Sequence, residues 1–430
     1  MRFLFSGILA LLASGSSSAQ TTPNPESRTE PRLQATIQRA LAENPGIEEM
    51  ERRIQAARAR VAQAGALPDP MLSVGAVNVP LPDLSFRRDD MTMKMASLEQ
   101  ELPARGKRGT ARRVAEADVV VTETMYAEYV NRLVAEVADS YFELASLDAR
   151  LAIARRTLER LKTVSESVRT RYRVGEGSLA DVLLAGVEES KRADRLRSLE
   201  AERAAVAARF NTLQNLPPSA PVPPVPLPSS DPVRSERDAL ARELEESPVI
   251  RQAFAEAKRG EEALELARLG RRPDLRLMAS YGQRDGFDDM VGATVGFNLP
   301  FFQRKRVAAQ IAEKEAELSA AKSRLASVRL ELSRRVEEAL IAIASETERA
   351  ALYRSTILTQ DATAARAAEE AYSVGKIDFQ TYVGAVKVLD DDEAETIERE
   401  TAVPRARARL QAATGVPFYK YRIGQEVPHD

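Results

Sequence analysis

The chain states one pattern twice, about 200 residues apart. Tyr172-Arg173-Val174-Gly175 returns as Tyr372-Ser373-Val374-Gly375. Leu102-Pro103 with Lys107-Arg108 returns as Leu299-Pro300 with Lys305-Arg306. Pro68-Asp69 returns as Pro273-Asp274, and Asn44-Pro45 as Ser247-Pro248. The landmarks keep the same order in both halves. Solenoid units run about 20–50 residues, so a whole architecture has been duplicated here.

Composition says what that architecture is made of. Across 430 residues there is no tryptophan and no cysteine, and aromatics are 5%. A chain dominated by Ala, Glu, Arg and Leu favours long helices over compact α/β domains. The net charge of −2 argues against a nucleic-acid partner, which would need a basic face. Without cysteine there are no disulfides, thiolate metal sites or cysteine nucleophiles. The single histidine, His429, sits at the C-terminal end. No phosphate-binding glycine loop or paired-carboxylate pocket stands out, so an enzyme is the weakest reading and no cofactor is called for.

Residues 1–19 read as a signal peptide. Arg2 is the positive start, Phe3 to Ala13 the apolar stretch, and Ser17-Ser18-Ala19 suits cleavage before Gln20. A buried N-terminal helix is the plainer alternative. No other segment approaches 18 apolar residues. An exported chain of this kind would cross a membrane with strands.

The expected organisation is a first repeat over 20–216, a Pro-rich linker over 217–232, a second repeat over 233–418 and a tail over 419–430. The first repeat begins with a helix from Arg32 to about Ala66, broken at Asn44-Pro45. Strands follow at about 71–79 and 91–102. From Ala104 to Arg173 there is no proline, which predicts about 70 helical residues, on the order of 105 Å. Gly175 and Gly177 turn the chain into a helix from about Leu179 to Gln214. Residues 217–228 hold seven prolines and form a stiff spacer. The second repeat places strands at about 275–284 and 290–299, a long helix over 303–373 and a last helix from about Phe379 to Thr414. In each half, two shorter helices laid end to end match the long one. Leu318, Leu325, Leu332 and Ala339 recur every seven residues, as lateral helix packing requires.

The strands alternate. Leu275, Leu277, Ala279 and Tyr281 interleave with Arg276, Met278, Ser280 and Gly282. One apolar and one small or polar face over about ten residues is the pattern of a membrane β-barrel strand. Ordinary hairpins on a soluble core are the alternative. Four strands do not close a barrel, but three chains supplying four each would give twelve. Met71, Met91, Met93, Met95, Met278 and Met290 cluster in these segments. Thioethers suit Cu(I). Met91, Met93 and Met95 share one strand face, read here as lipid-facing apolar packing rather than a metal site.

Strand pair, long helix, glycine turn and short helix, all duplicated, resemble the TolC-like outer-membrane efflux family. The resemblance runs from about Arg32 to Tyr419. Its most specific segments are RYRVGEGSLADVL at 171–183 and AYSVGKIDFQTYV at 371–383. ALPDPMLSVG at 66–75 and MTMKMASLEQELPARGKR at 91–108 look like its heavy-metal-efflux branch. The resemblance implies a mainly α homotrimer: a twelve-stranded barrel in outer-membrane lipid and an α-helical tunnel across the periplasm. It also implies passive conduction of metal ions or small toxic compounds, supplied by an inner-membrane pump through a periplasmic adaptor protein.

The resemblance further implies roles for tip residues. Asp181 and Tyr372 match an aspartate and a tyrosine that latch the closed entrance. The plainer role for Asp181 is a carboxylate facing a helix dipole. The family's arginine partner falls at Ile377, leaving Lys376 as the nearest cation. Its aspartate ring falls at Thr381 and Gly384. Asp378 and the run Asp390-Asp391-Asp392-Glu393 could supply charge instead, although such a run is usually a solvated helix face. Val174, Gly175, Val374 and Gly375 are the expected adaptor-docking tips, and the glycines also suit the turn itself.

Two rival readings remain. A periplasmic coiled-coil adaptor should have one hairpin within split β-domains. A soluble coiled-coil scaffold would leave the alternating strands unexplained.

Overall fold

The computed structural model describes residues 31–81, 84–228, 244–297 and 304–415. The expected signal peptide over 1–19, residues 233–243, Leu299-Pro300, His429 and the 419–430 tail lie outside the described residues. The first helix breaks where expected, into α1 (Pro31–Glu43) and α2 (Pro45–Gly65). Asn44 is the cause: its extended backbone precedes Pro45, and its side chain accepts from the Gly46 amide. Strands β1 (Met71–Val77) and β2 (Met93–Leu102) follow. Helix α3 (Lys107–Arg173) then runs 67 residues, about 100 Å. Helix α4 (Leu179–Leu213) returns beside it.

The second half repeats the plan. Helix α5 (Pro248–Leu269) precedes β3 (Leu275–Gln283) and β4 (Met290–Phe297). The second long rod is α6 (Arg304–Leu352), a π turn at Tyr353–Ile357, and α7 (Leu358–Ser373). Helix α8 (Phe379–Thr414) closes the described chain. The π turn departs from the uninterrupted helix expected over 303–373. Lys107 aligns with Lys305 but Tyr172 with Tyr372, so the second rod carries two more residues between landmarks. A π turn closes i→i+5 bonds and so houses one of these two without breaking the rod.

The rods lie side by side as four staves. Helices α2 and α4 pack on different stretches of α3, and α5 and α8 pack on both α3 and α6. The main core sits at mid-height. Leu33 and Ile37 of α1, Val137, Tyr141 and Leu144 of α3, Phe210 of α4 and Ala408 of α8 pack together there. The Pro-rich strand after α4 is strapped across this level. Asp148 accepts from the Val225 amide and from Arg203, while Arg32 donates to the Pro224 carbonyl at 2.8 Å. Val225 is 4% exposed.

The four strands form one antiparallel sheet, ordered β1-β2-β3-β4. Its register sorts most of the side chains into an apolar and a polar face. Leu72 pairs Leu98, which pairs Ala279, which pairs Ala293; the next row is Val74, Ala96, Tyr281 and Val291. This apolar face is open: Val74 is 79% exposed, Val291 84% and Val295 62%. The other face carries Ser73, Ser97, Ser280 and Gly292 in one row, and Glu99, Met278 and Thr294 in another.

The same register corrects the reading of the methionines. Met93 pairs Val77, and Met95 pairs Gly75 and Gly282. Both therefore lie on the polar face, with Ser97 and Glu99, rather than on the apolar one. Period-2 alternation says which residues share a face; only pairing with the other strands says which face it is.

Candidate functional site

The far end of the staves is built from two turns. At the first, the Gly175 amide donates to the Tyr172 carbonyl and the Glu176 amide to that of Arg171. At the second, Gly375 donates to Tyr372 and Lys376 to Ala371. Both are Schellman closures, with a left-handed glycine (φ 80° and 73°) after the last helical turn. A β-carbon on either glycine would meet open space. The backbone conformation therefore demands glycine here, and crowding does not. Val174 and Val374 are 66% and 67% exposed.

The following helices are capped by different residues. Ser178 accepts from the Asp181 amide at 3.3 Å, and Asp378 from the Thr381 amide at 2.8 Å. Hydrogen bonds from Thr381 hold the Asp378 carboxyl below its ordinary pKa. Asp181 stands in the first turn of α4, where a carboxylate faces the positive end of the helix dipole. Thr381 and Gly384 are exposed on the first turns of α8, and Lys376 is exposed in the turn.

Tyr372 is held from several sides. Its ring stacks on Tyr382 at 5.3 Å and tilts against Phe379 at 5.9 Å. Phe379 and Tyr382 are 1% and 2% exposed. The guanidinium of Arg171 lies 5.1 Å from the Tyr372 ring centre. Arg171 also donates to the Ser373 carbonyl at 2.9 Å and the Tyr372 carbonyl at 3.4 Å. One side chain of the first repeat thus caps the C-terminus of α7 in the second, where a cation is favoured. Burial raises the Tyr372 hydroxyl pKa; nearby Arg171 lowers it and Asp181 raises it. Among the described contacts, Asp181 and Tyr372 share no hydrogen bond. The cation at Tyr372 is Arg171, and its repeat counterpart is Ala371. That mismatch between otherwise matching turns was the available sequence signal.

Further along α8, the acidic run is not one solvated face. Asp390 is 6% exposed and accepts from the Thr157 hydroxyl at 2.7 Å. Arg192 of α4 lies 3.6 Å away. Three helices therefore meet at one carboxylate. Burial raises its pKa, opposed by Thr157 and the surrounding arginines. Glu393 pairs with Arg156, and burial and the neighbouring Asp361 carboxyl raise the Asp392 pKa. Asp391 alone of the four is exposed. Only tertiary packing turns α8 so that Asp390 faces inward.

A charged cavity of about 640 Å³ lies nearer mid-height, lined by Glu143, Arg150, Glu346, Glu398, Arg399 and Arg405 among others. Arg405 pairs with Asp139 at 2.9 Å, and Arg399 with Glu346 at 2.8 Å. Among the described residues no group of three or more His, Cys, Asp or Glu could hold a metal ion. No described helix is long and apolar enough to cross a membrane.

The sequence pattern of outer membrane efflux proteins matches residues 36–216 and 239–416, both repeats. This chain belongs to the outer membrane efflux protein family. The fold of this efflux protein agrees with solved members. The outer-membrane channel OprN superposes with a TM-score of 0.77 at 19% identity, covering 90% of this chain and 91% of that one. The outer membrane protein VceC from Vibrio cholerae gives 0.76 at 18%, covering 90% and 97%. CusC, described for transmembrane channel formation, gives 0.73 at 18%, covering 89% and 91%. A comparison with curated protein sequences returned no match. The family and these neighbours are channels, not enzymes. At such identities the likeness carries the fold: a mainly α chain with a small membrane sheet, duplicated.

Proposed function

We propose that this chain is the outer-membrane channel of a tripartite efflux system. It would act as a homotrimer, conducting metal ions or small toxic compounds passively from a periplasmic adaptor and inner-membrane pump to the outside. The observation that carries this reading is the sheet. An exposed apolar face of Leu72, Val74, Leu98, Val291 and Val295 would be costly in water and suits lipid. The free edges of β1 and β4 also need partners. Three copies, each donating four strands, leave no edge. A periplasmic adaptor or scaffold would have no use for such a face.

The staves support the same closure. Inside the chain, Asp274 of the second repeat binds Lys107 of the first at 2.7 Å and accepts from the Ala104 amide. Their repeat counterparts, Asp69 and Lys305, are both exposed, at opposite edges of the chain. A neighbouring copy would bring them together in the same geometry. On α6, Leu330, Ile341 and Leu352 are 75%, 58% and 52% exposed. Spaced every eleven residues, they share one helix face, which a neighbour would cover.

At the tip, Arg171, Tyr372 and Asp181 would hold the entrance, with Lys376, Thr381 and Gly384 at its rim. Val174-Gly175 and Val374-Gly375 would receive the adaptor. Membrane fractionation with native mass measurement tests the whole reading. The expected result is a trimer in the outer membrane; a soluble periplasmic monomer would end it.

A further inference from the structure

Five of the nine methionines of this chain lie on one face of its sheet, and that face is the polar one. Met71 and Met278 flank Glu99 in one row. Met95 and Met290 flank Gly282 in another. Met93 sits two residues before Met95 on the same strand, so it shares that face. The apolar face carries Leu, Val, Ala, Tyr and Phe, with Lys94, Gln100 and Gln283 toward its ends, and no methionine. If these side chains were selected for lipid contact, that distribution would be reversed. Their neighbours are instead Ser73, Ser97, Ser280, Thr294 and the Glu99–Arg276 pair at 3.8 Å.

Gly282 gives the upper row its shape. It is buried within the sheet, and a β-carbon there would meet the Met93 sulfur at 2.6 Å. The thioether of Met93 therefore lies over the glycine. Met95 and Met290 stand on the strands either side, about 10 Å apart across two strand spacings. Long unbranched side chains can lean together over that gap. The register thus places two further thioether side chains on either side of the gap that the Met93 sulfur covers.

We propose that Met93, Met95 and Met290 form a binding site for a soft monovalent cation of the copper group, with Met71 and Met278 as a second station beside Glu99. Thioethers select such ions over hard cations. Being neutral, they bind without trapping, which suits a conduit. The site rests on the reading that this face lines the channel, and it narrows the substrate class of that channel to soft metal ions. The chain offers no cysteine to compete.

The test uses the purified full-length protein with silver nitrate, recorded in potassium nitrate so that no chloride removes Ag⁺. Single channels in planar bilayers should conduct potassium nitrate, and Ag⁺ should reduce or interrupt that current. Met93→Leu/Met95→Leu/Met290→Leu keeps side-chain volume and should raise the Ag⁺ Kd about tenfold or more. Gly282→Ala, which displaces the Met93 sulfur, should weaken Ag⁺ binding by itself. Isotope-labelled methionine methyl resonances of the wild-type protein in detergent give a readout independent of conductance. Those of Met93, Met95 and Met290 should shift with Ag⁺ while Met50 and Met125 stay. Absence of potassium nitrate conductance would count against the channel reading alone. Unmoved methyl resonances, or an Ag⁺ effect unchanged in the triple variant, would overturn the metal site.

Discussion

The two long rods share the same landmarks at their ends and occupy unlike places in the fold. Helix α3 lies inside the row of staves, with α2 and α4 on one side and α5 and α8 on the other. Its middle is buried nearly all round: Val137, Ala138, Leu144 and Ala145 are 0% exposed. Helix α6 has neighbours on one side only. It buries Val307, Ile311, Leu332, Val336 and Ile343 and leaves Leu330, Ile341 and Leu352 open. A duplicated rod that is half-covered is where the proposed next copy would pack. The tips show the reverse case. There the backbones of residues 171–178 and 371–378 match bond for bond, while the side chains around them differ.

The rod comparison gives the largest expected effect. Leu144→Ala empties a fully buried site and should cost about 2–5 kcal/mol, read by urea unfolding of the detergent-solubilised protein. Leu330→Ala should leave protomer stability within about 0.5 kcal/mol and instead weaken trimer association in native mass measurement. Equal stability losses at the two positions would mean that the rods are not differently placed.

The junction pairs sharpen the same contrast. Asp274→Ala removes a part-buried partner of Lys107. Burial raises the Asp274 pKa, and Lys107 with the Ala104 amide more than offsets it, leaving it lowered. Stability from this group is present above the ordinary aspartate range and is lost as pH falls through the lowered value. Asp69→Lys should leave the protomer intact and loosen the trimer by up to about 1 kcal/mol per pair. The reversed pair Asp69→Lys/Lys305→Asp should restore the trimer, and a double variant no better than the singles would remove the intermolecular pair.

At the tip, Arg171→Ala should uncap α7 and loosen Tyr372, costing about 1 kcal/mol. Larger single-channel conductance is the expected readout, because no arginine stands at 371 to replace it. Asp390→Asn should raise the melting temperature slightly at neutral pH. Burial makes the charged carboxylate the costly form, so this cost is present at neutral pH. It fades as pH falls through the raised folded pKa toward the ordinary range near about 4. The gap between variant and parent should therefore shrink on acidification; a constant gap would contradict burial as the cause. Smallest are Asp181→Ala and Tyr372→Phe, each expected to raise conductance modestly. Unchanged currents in both would confine Asp181 to its helix-dipole role.

Much of this was legible beforehand for identifiable reasons. Proline and glycine punctuation placed the helix ends, since Asn44-Pro45 and the glycines at 175 and 375 act through local backbone geometry. The tip was less legible. Tyr372 was singled out, but the cation beside it is Arg171, about two hundred residues away in sequence, and not the adjacent Lys376. Asp390 was taken with its acidic neighbours because nothing local separates it from Asp391. The π turn left no compositional mark.

By itself, the sequence determined the duplication, the rod lengths and the alternation of the strands. These rest on short-range rules: backbone conformations allowed to glycine and proline, and periods of two or seven. The tertiary structure alone decided which strand face the methionines share, which acidic residue turns inward, and which of two sister rods is left uncovered. Those outcomes depend on register and on neighbours distant in the chain, which no local pattern encodes.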